Sequence, residues 1–320
     1  MAGDQGVGSR MHTLTGVEPG GRDPKYPLGV AMVMTAGVCL SFGGLIVRHI
    51  EAADGWQILF YRSIAFAATV LAFLLVRYRG RVVRPFAKIG WNGVLAALCL
   101  AAGSASYVFA LLLTTVANAV FIVSASPFFA AILGWLVLGE RVHGTTWLAI
   151  AAAIAGIGLM FIDGLTAGRW LGNLVALTAP VSFAVMIVIM RRTKSVDMMP
   201  ATCLAGVIMA GVGLLMVDSL AIPERDLALA LTMGFGQLGI AVILITLGAR
   251  HVPAAEVALL SLTEAAFAPV WVWLVVDEVP NALALAGGTI VLTAVVAQAL
   301  GGVRRKGVPR SSLEKGSAVE

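Results

Sequence analysis

The chain is 320 residues long, 59% hydrophobic and only 12% charged, which excludes an intrinsically disordered chain and favours one that buries apolar surface in lipid. Its net charge of +5 does not mark a nucleic-acid surface, because the basic residues are scattered over short gaps between apolar runs and are not gathered on one face. Cys39, Cys99 and Cys203 lie inside apolar runs without CxxC spacing or a neighbouring His, which excludes a disulfide framework and a zinc site.

A hydrocarbon layer about 30 Å thick needs on the order of 20 apolar residues per helix, at ~1.5 Å rise each. Residues 1–27 are Gly-rich and polar, and are expected to form a disordered cytoplasmic tail; the run that follows is too long for a signal-peptide core, so no cleavage is expected. Ten runs of spanning length then follow: Leu28 to Val47, Trp56 to Val76, Gly90 to Leu113, Val116 to Leu138, Thr146 to Ile162, Trp170 to Met190, Pro200 to Val217, Leu227 to Ala249, Ala254 to Val276 and Ala282 to Gly301. Residues 302–320 read as a second disordered tail. All seven Trp fall near the ends of runs, where an indole keeps its ring in the apolar layer and its N–H among headgroups.

The second run carries Arg62, the one base deep in an apolar segment, six residues from Trp56 and hence ~9 Å from that end. A charge there costs at least ~2.5–3.5 kcal/mol on insertion scales and belongs in a bundle interior or a polar cavity. It reads as an anchor for a substrate carboxylate, as half of a structural ion pair, or as a side chain that snorkels to the outer surface. Tyr107 in the third run, Asn118, Ser124 and Ser126 in the fourth and Gln237 in the eighth need hydrogen-bond partners away from water, and either line a pathway or tie helices together. Pro127, Pro180 and Pro269 each remove an N–H from a helical ladder, so kinks or hinges beside a cavity are expected there.

The ninth run holds Glu264, ten residues from Ala254 and so ~15 Å from its start. A carboxylate at that depth is a candidate to take up a proton, to bind an amine or to pair with Arg62. The depths of the two differ by only ~6 Å in a core of ~30 Å, and they are expected to face one cavity. Glu256, nearer the end of that run, reads as solvated.

With the N-terminus in the cytoplasm, eighteen Lys and Arg fall in the two tails and in the gaps after the second, fourth, sixth and eighth runs, whereas only Arg48, Arg169 and Arg225 fall on the other face. This is a strong positive-inside bias, and both termini are expected to be cytoplasmic.

The fourth and ninth runs close alike, FFAAILGWLVLGE on Glu140 and AFAPVWVWLVVDE on Glu278. Alignment on those glutamates puts Phe129 on Phe267, Ala130 on Ala268 and Trp135 on Trp273, and Ser41, Phe42 and the later Arg48 are echoed by Ser182, Phe183 and the later Arg191. Two halves follow, residues 28–162 and 170–301, of five helices each. Five is odd, so the second half enters the membrane from the opposite side and the repeats are inverted. Such halves can exchange conformations around a site near the midplane, which is the basis of alternating access.

This five-plus-five pattern, the stretch TTVANAVFIVSASPFFAAILGWLVLGE, its partner HVPAAEVALLSLTEAAFAPVWVWLVVDE and the Arg within FYRSIAFAA together resemble the EamA-type transporters of the drug/metabolite transporter superfamily. The resemblance covers nearly all of residues 28–301. It implies a ten-helix bundle with a central substrate cavity, cytoplasmic termini and secondary transport of small metabolites, often outward. The chain departs from the usual pattern where Ala265, not Pro, follows Glu264. Glu140 and Glu278 match the family's hallmark glutamates; as both end helices, they are expected to fix loops by accepting N–H bonds at the start of the following helix.

No GxxxxGK[ST], HExxH or Cys/His constellation occurs, so nucleotide hydrolysis, other catalysis, a metal and a cofactor are not expected. The expected protein is an all-α integral membrane protein of the cell (inner) membrane, with ten transmembrane helices in two inverted five-helix repeats. It is expected to be a secondary transporter of a small metabolite, amino-acid-like or otherwise polar or amphipathic. Export is what the resemblance implies. Coupling to a proton or another ion and assembly into a homo-oligomer stay open. The alternatives are an uptake permease of the same fold, and a membrane-embedded enzyme or assembly partner without a transport cycle.

Overall fold

A computed structural model describes residues 24–140, 142–192 and 198–306. Most of both tails lies outside these residues, as do Arg141 and Lys194 of the charge count. Every described element is a helix. The spanning helices are α1 (Tyr26–Arg48), α2 (Gly55–Arg77), α3 (Gly90–Leu113), α4 (Val116–Leu138), α5 (Gly144–Thr166), α6 (Trp170–Arg192), α7 (Met199–Met216), α8 (Glu224–Gly248), α9 (Ala254–Val276) and α10 (Ala282–Lys306). A short helix, Val83–Ala87, crosses the gap between α2 and α3. α1 begins two residues inside the expected N-terminal tail, and α10 runs on to Lys306, past the expected boundary at Gly301.

By length and composition, ten helices among the described residues can cross a membrane. Bulky apolar side chains, Leu148, Leu215 and Trp91 among them, stand exposed around the bundle, an outer surface suited to lipid tails and not to water.

Local chemistry sets the helix ends. Asp54 caps α2 by accepting from the backbone N–H groups of Trp56 and Gln57, while the Gln57 side chain accepts in return from the Asp54 N–H. The buried Asp226 of α8 accepts from the N–H groups of Ala52 and Ala53 and so fastens the α1–α2 loop. α4 and α9 stop in the same way. Gly139 and Asp277 both turn left-handed, at φ 66° and 53°, and the next residue's N–H bonds back to Gly134 O and Val272 O, each at 3.2 Å.

Two helices are interrupted. α4 breaks at Ala125 into Val116–Ser124 and Ser126–Leu138, with Pro127 in the first turn of the second piece, where its missing N–H costs nothing. α8 is π-helical from Met233 to Ile240, an interruption that no proline announces. Pro180 and Pro269 lie inside helices that run through without a break.

α3 packs along α6, α1 along α9, α2 along α7 and α5 along α10; α8 lies against α1 and α2, and α4 against α6. Glycine permits close approach between these helices: a Cβ on Gly156 of α5 would stand 2.6 Å from the Gly287 carbonyl of α10. One tryptophan departs from the interfacial expectation. Trp271 donates from Nε1 to Ser41 Oγ at 2.9 Å, and its ring stacks on Phe42 and Phe267, so its polar edge is satisfied between α1 and α9 instead of among headgroups.

Candidate functional site

Arg62 is only 1% exposed, on the face of α2 that also buries Ile58, Leu59 and Phe66. Its Nη1 donates to Ser104 Oγ of α3 at 3.1 Å, and its Nε has no hydrogen-bond partner. α8 comes so close here that a Cβ on Gly234 would collide with the Arg62 backbone carbonyl. The glycine therefore presses α8 onto α2 at the level of the buried cation.

One turn further along α3, on the same face, Tyr107 donates from its hydroxyl to Glu264 Oε1 of α9 at 3.0 Å. Arg62 and Glu264 thus each bond to α3, on neighbouring turns. Among the described residues no ion pair joins them, so of the three roles open to Glu264 direct pairing with Arg62 is not the one seen. Snorkelling of Arg62 is not seen either, since its side chain ends inside the bundle.

A cavity of about 420 Å³ reaches Ser104 and runs between α2, α3, α6, α7 and α8 towards Met190, Met198 and Thr246. A second, of about 580 Å³, is lined by Ser126, Pro127, Glu140, His143, Arg191 and Gln298 among others. Both extend towards the bundle end where α6 finishes.

The opposite end is filled with polar bonds. Arg48 pairs through Nε with Glu278 Oε2 at 2.6 Å and donates to the carbonyls of Leu111 and Thr114. Glu278 also accepts from the Val116 N–H at 2.7 Å. Beside them Asp163, buried in α5, accepts from Asn281 Nδ2 at 2.6 Å and from Asn118 Nδ2 at 3.3 Å, and Thr114 Oγ1 donates to Asn173 Oδ1 at 2.6 Å.

The other expected residues divide. Asn118 belongs to this end cluster and not to the central site. Ser124 and Ser126 donate back to Val120 O and Val123 O of their own helix, although Ser126 also lines the second cavity. Gln237 donates to Leu40 O at 3.2 Å, while its buried Oε1 has no partner. Glu256, read as solvated, accepts from the Tyr26 hydroxyl at 2.5 Å. Among the described residues, no bond is seen from Glu140 or Glu278 to the helix that follows it. Each instead meets an arginine from the other half of the chain, Arg191 and Arg48, and the N–H that Glu278 accepts opens α4. The chain reversal at Gly139 and Asp277 turns these carboxylates towards neighbouring helices.

Sequence reasoning missed Ser104, Asp163 and Asn173. Ser104 carries the usable signal, standing three residues before Tyr107 on the same helical face. Asp163 falls one residue beyond the apolar run assigned to its helix.

The sequence profile of the EamA-like transporter family matches residues 27–162 and again 170–298. The chain is 26% identical over 281 residues to the pseudopaline exporter CntI of Pseudomonas aeruginosa, in two strains, covering 84% of this chain and 95% of that protein. A crystal structure aligns at a TM-score of 0.61 and 18% identity, covering 88% of this chain and 99% of that one, which shows a shared fold. A bundle of ten membrane-crossing helices that matches the family along both of its halves is a multi-pass membrane transporter, and the chain belongs to the EamA-like transporter family.

Proposed function

We propose that the chain is a secondary transporter that exports a small polar or amphipathic metabolite by alternating access, loading it beside Arg62, Ser104, Tyr107 and Glu264. The observation that carries this reading is that a buried cation and a carboxylate bond to neighbouring turns of α3, beside a cavity that reaches the first of those turns. Charged groups inside a membrane mark solute or ion pathways.

Packing supports two inverted repeats, residues 28–162 and 170–301. Exchange of the halves turns the α3–α6 contact into α8–α1 and the α1–α9 contact into α6–α4, and leaves α2–α7 and α5–α10 as they are; each of these contacts is present. The ion pairs follow the same exchange: Arg48 with Glu278 becomes Arg191 with Glu140. The bias of basic residues supports cytoplasmic termini in the inner membrane. On that orientation the cavities face the cytoplasm while the Arg48 end is sealed, an inward-facing arrangement that suits loading for export. The relationship to a named exporter supports the same direction.

The test is reconstitution of the full chain into vesicles of known orientation, followed by counterflow with labelled metabolite pools. A solute trapped by the parent protein and released by Arg62→Gln or Glu264→Gln is expected. Failure of every solute to cross would overturn the reading in favour of a protein without a transport cycle.

A further inference from the structure

Resting on the transport reading, we infer that the solute is an apolar-bodied carboxylate, whose acidic head meets Arg62 and Ser104 and whose body lies among methionines, with no requirement for an ammonium group.

The head follows from an imbalance of charge. Arg62 is sealed in the bundle, its observed side-chain partner is a neutral hydroxyl, its Nε is unbonded, and no carboxylate among the described residues lies within ion-pair distance. A guanidinium offers five N–H donors in a planar fork that matches a carboxylate bidentately, and a buried cation without an anion is the costly half of an ion pair. Glu264, the group that an ammonium would seek, already accepts the Tyr107 hydroxyl. The two charges differ in access: Ser104 brings Arg62 to the cavity wall, whereas Glu264 bonds to Tyr107, and neither of these is among the described residues that line the cavity.

The body follows from the cavity wall. Ser104 joins the cavity to Arg62, and away from it the wall includes Met186, Met190, Met198, Met199 and Met209. Among the described residues, the other polar lining groups, Thr202 and Thr246, donate to Met198 O and Val242 O of the local backbone, and none that lines the cavity is charged. Thioether side chains are flexible and polarizable, so the wall adapts to aliphatic and aromatic bodies alike. At about 420 Å³ the cavity falls in the roughly 300–1,000 Å³ range of small-molecule sites. Strict selection of the head and loose selection of the body result.

Calorimetric titration of the purified full-length protein with four probes of one skeleton tests this: 3-phenylpropionate, its amide, 3-phenylpropylamine and phenylalanine. The acid is expected to bind at least about tenfold tighter than the amide or the amine, as one charge-assisted bond allows, and phenylalanine no tighter than the acid. Octanoate should bind within about threefold of 3-phenylpropionate, and Arg62→Gln should abolish the preference for acid over amide. If that variant does not fold, the acid and amide comparison on the parent decides alone. Equal binding of acid and amide, or tighter binding of the amine or the zwitterion, overturns the inference. If solutes of another class cross reconstituted vesicles while carboxylates neither bind nor cross, this inference falls and the transport reading stands; if nothing crosses, both fall.

Discussion

Arg48, at the end of α1, and Glu278, just beyond α9, are joined by an ion pair of 2.6 Å that ties the first half of the chain to the second. A second pair, Arg191 near the end of α6 with Glu140 just beyond α4, lies at the other end of the bundle. The two pairs are unequal. Arg48 and Glu278 are 23% and 17% exposed and bonded to neighbouring backbone, whereas Arg191 and Glu140 are 45% and 46% exposed.

That inequality sets the first expectation. Glu278→Gln strands a half-buried guanidinium and weakens acceptance from the Val116 N–H, and should cost about 1–3 kcal/mol. Glu140→Gln, in a screened surface pair, should cost about 0–1 kcal/mol. Thermal unfolding of the two variants in detergent compares them directly. The charge swap Arg48→Glu with Glu278→Arg should recover stability only in part, because the carbonyls of Leu111 and Thr114 would then face a carboxylate.

Glu264 and Tyr107 share one hydrogen bond but not one chemistry. Glu264→Gln removes a group able to carry a proton, whereas Tyr107→Phe removes only a donor. If Glu264 couples transport to protons, its Gln variant flattens the dependence of vesicle uptake on pH, and Tyr107→Phe lowers the rate while keeping that dependence. Identical profiles for the parent and Glu264→Gln would remove the carboxylate from the coupling step.

Gly234 and Gly236 provide a matched pair within one helix. A Cβ at 234 has no room against the Arg62 carbonyl, and one at 236 meets nothing within 4 Å. Gly234→Ala is expected to destabilise by about 1–3 kcal/mol through overpacking, and Gly236→Ala to be neutral or slightly stabilising. The difference in melting temperature measures how tightly α8 is held against α2.

Asp163→Asn tests the sealed end. The substitution exchanges a carboxylate that accepts from Asn118 and Asn281 for an amide with one acceptor oxygen. One buried donor is left without its partner, at about 1–3 kcal/mol. Cysteine labelling near Asn281 from the outer face of sealed vesicles should quicken in this variant if the cluster holds that end shut.

Hydropathy and charge made the ten spans legible because lipid tolerates few alternatives to a long apolar helix. Arg62, Tyr107 and Glu264 stood out for the same reason: polarity at depth has to be explained. Their bonding was not legible, since it depends on which turns of α2, α3 and α9 come to the same level. Ser104 was hidden because a serine is unremarkable in a membrane helix, and Asn118 stayed between lining a pathway and tying helices because its partners, Asp163 and Asn173, lie on other helices. The paired glutamates were visible as a repeat, but their partners lie 230 and 51 positions away in sequence.

The π-helical stretch of α8 has a mechanical consequence. Each residue of an α-helix advances the screw by about 100° and ~1.5 Å, so a wider turn holds a surplus residue that the flanking α-helical pieces do not share. Passing that surplus up or down the chain would swivel one piece of α8 against the other by about one residue's worth of rotation, with most backbone bonds kept. Gln237 sits within this stretch and Thr246 of the cavity wall beyond it, so such a swivel would change which side chains the solute meets while the helix stays whole.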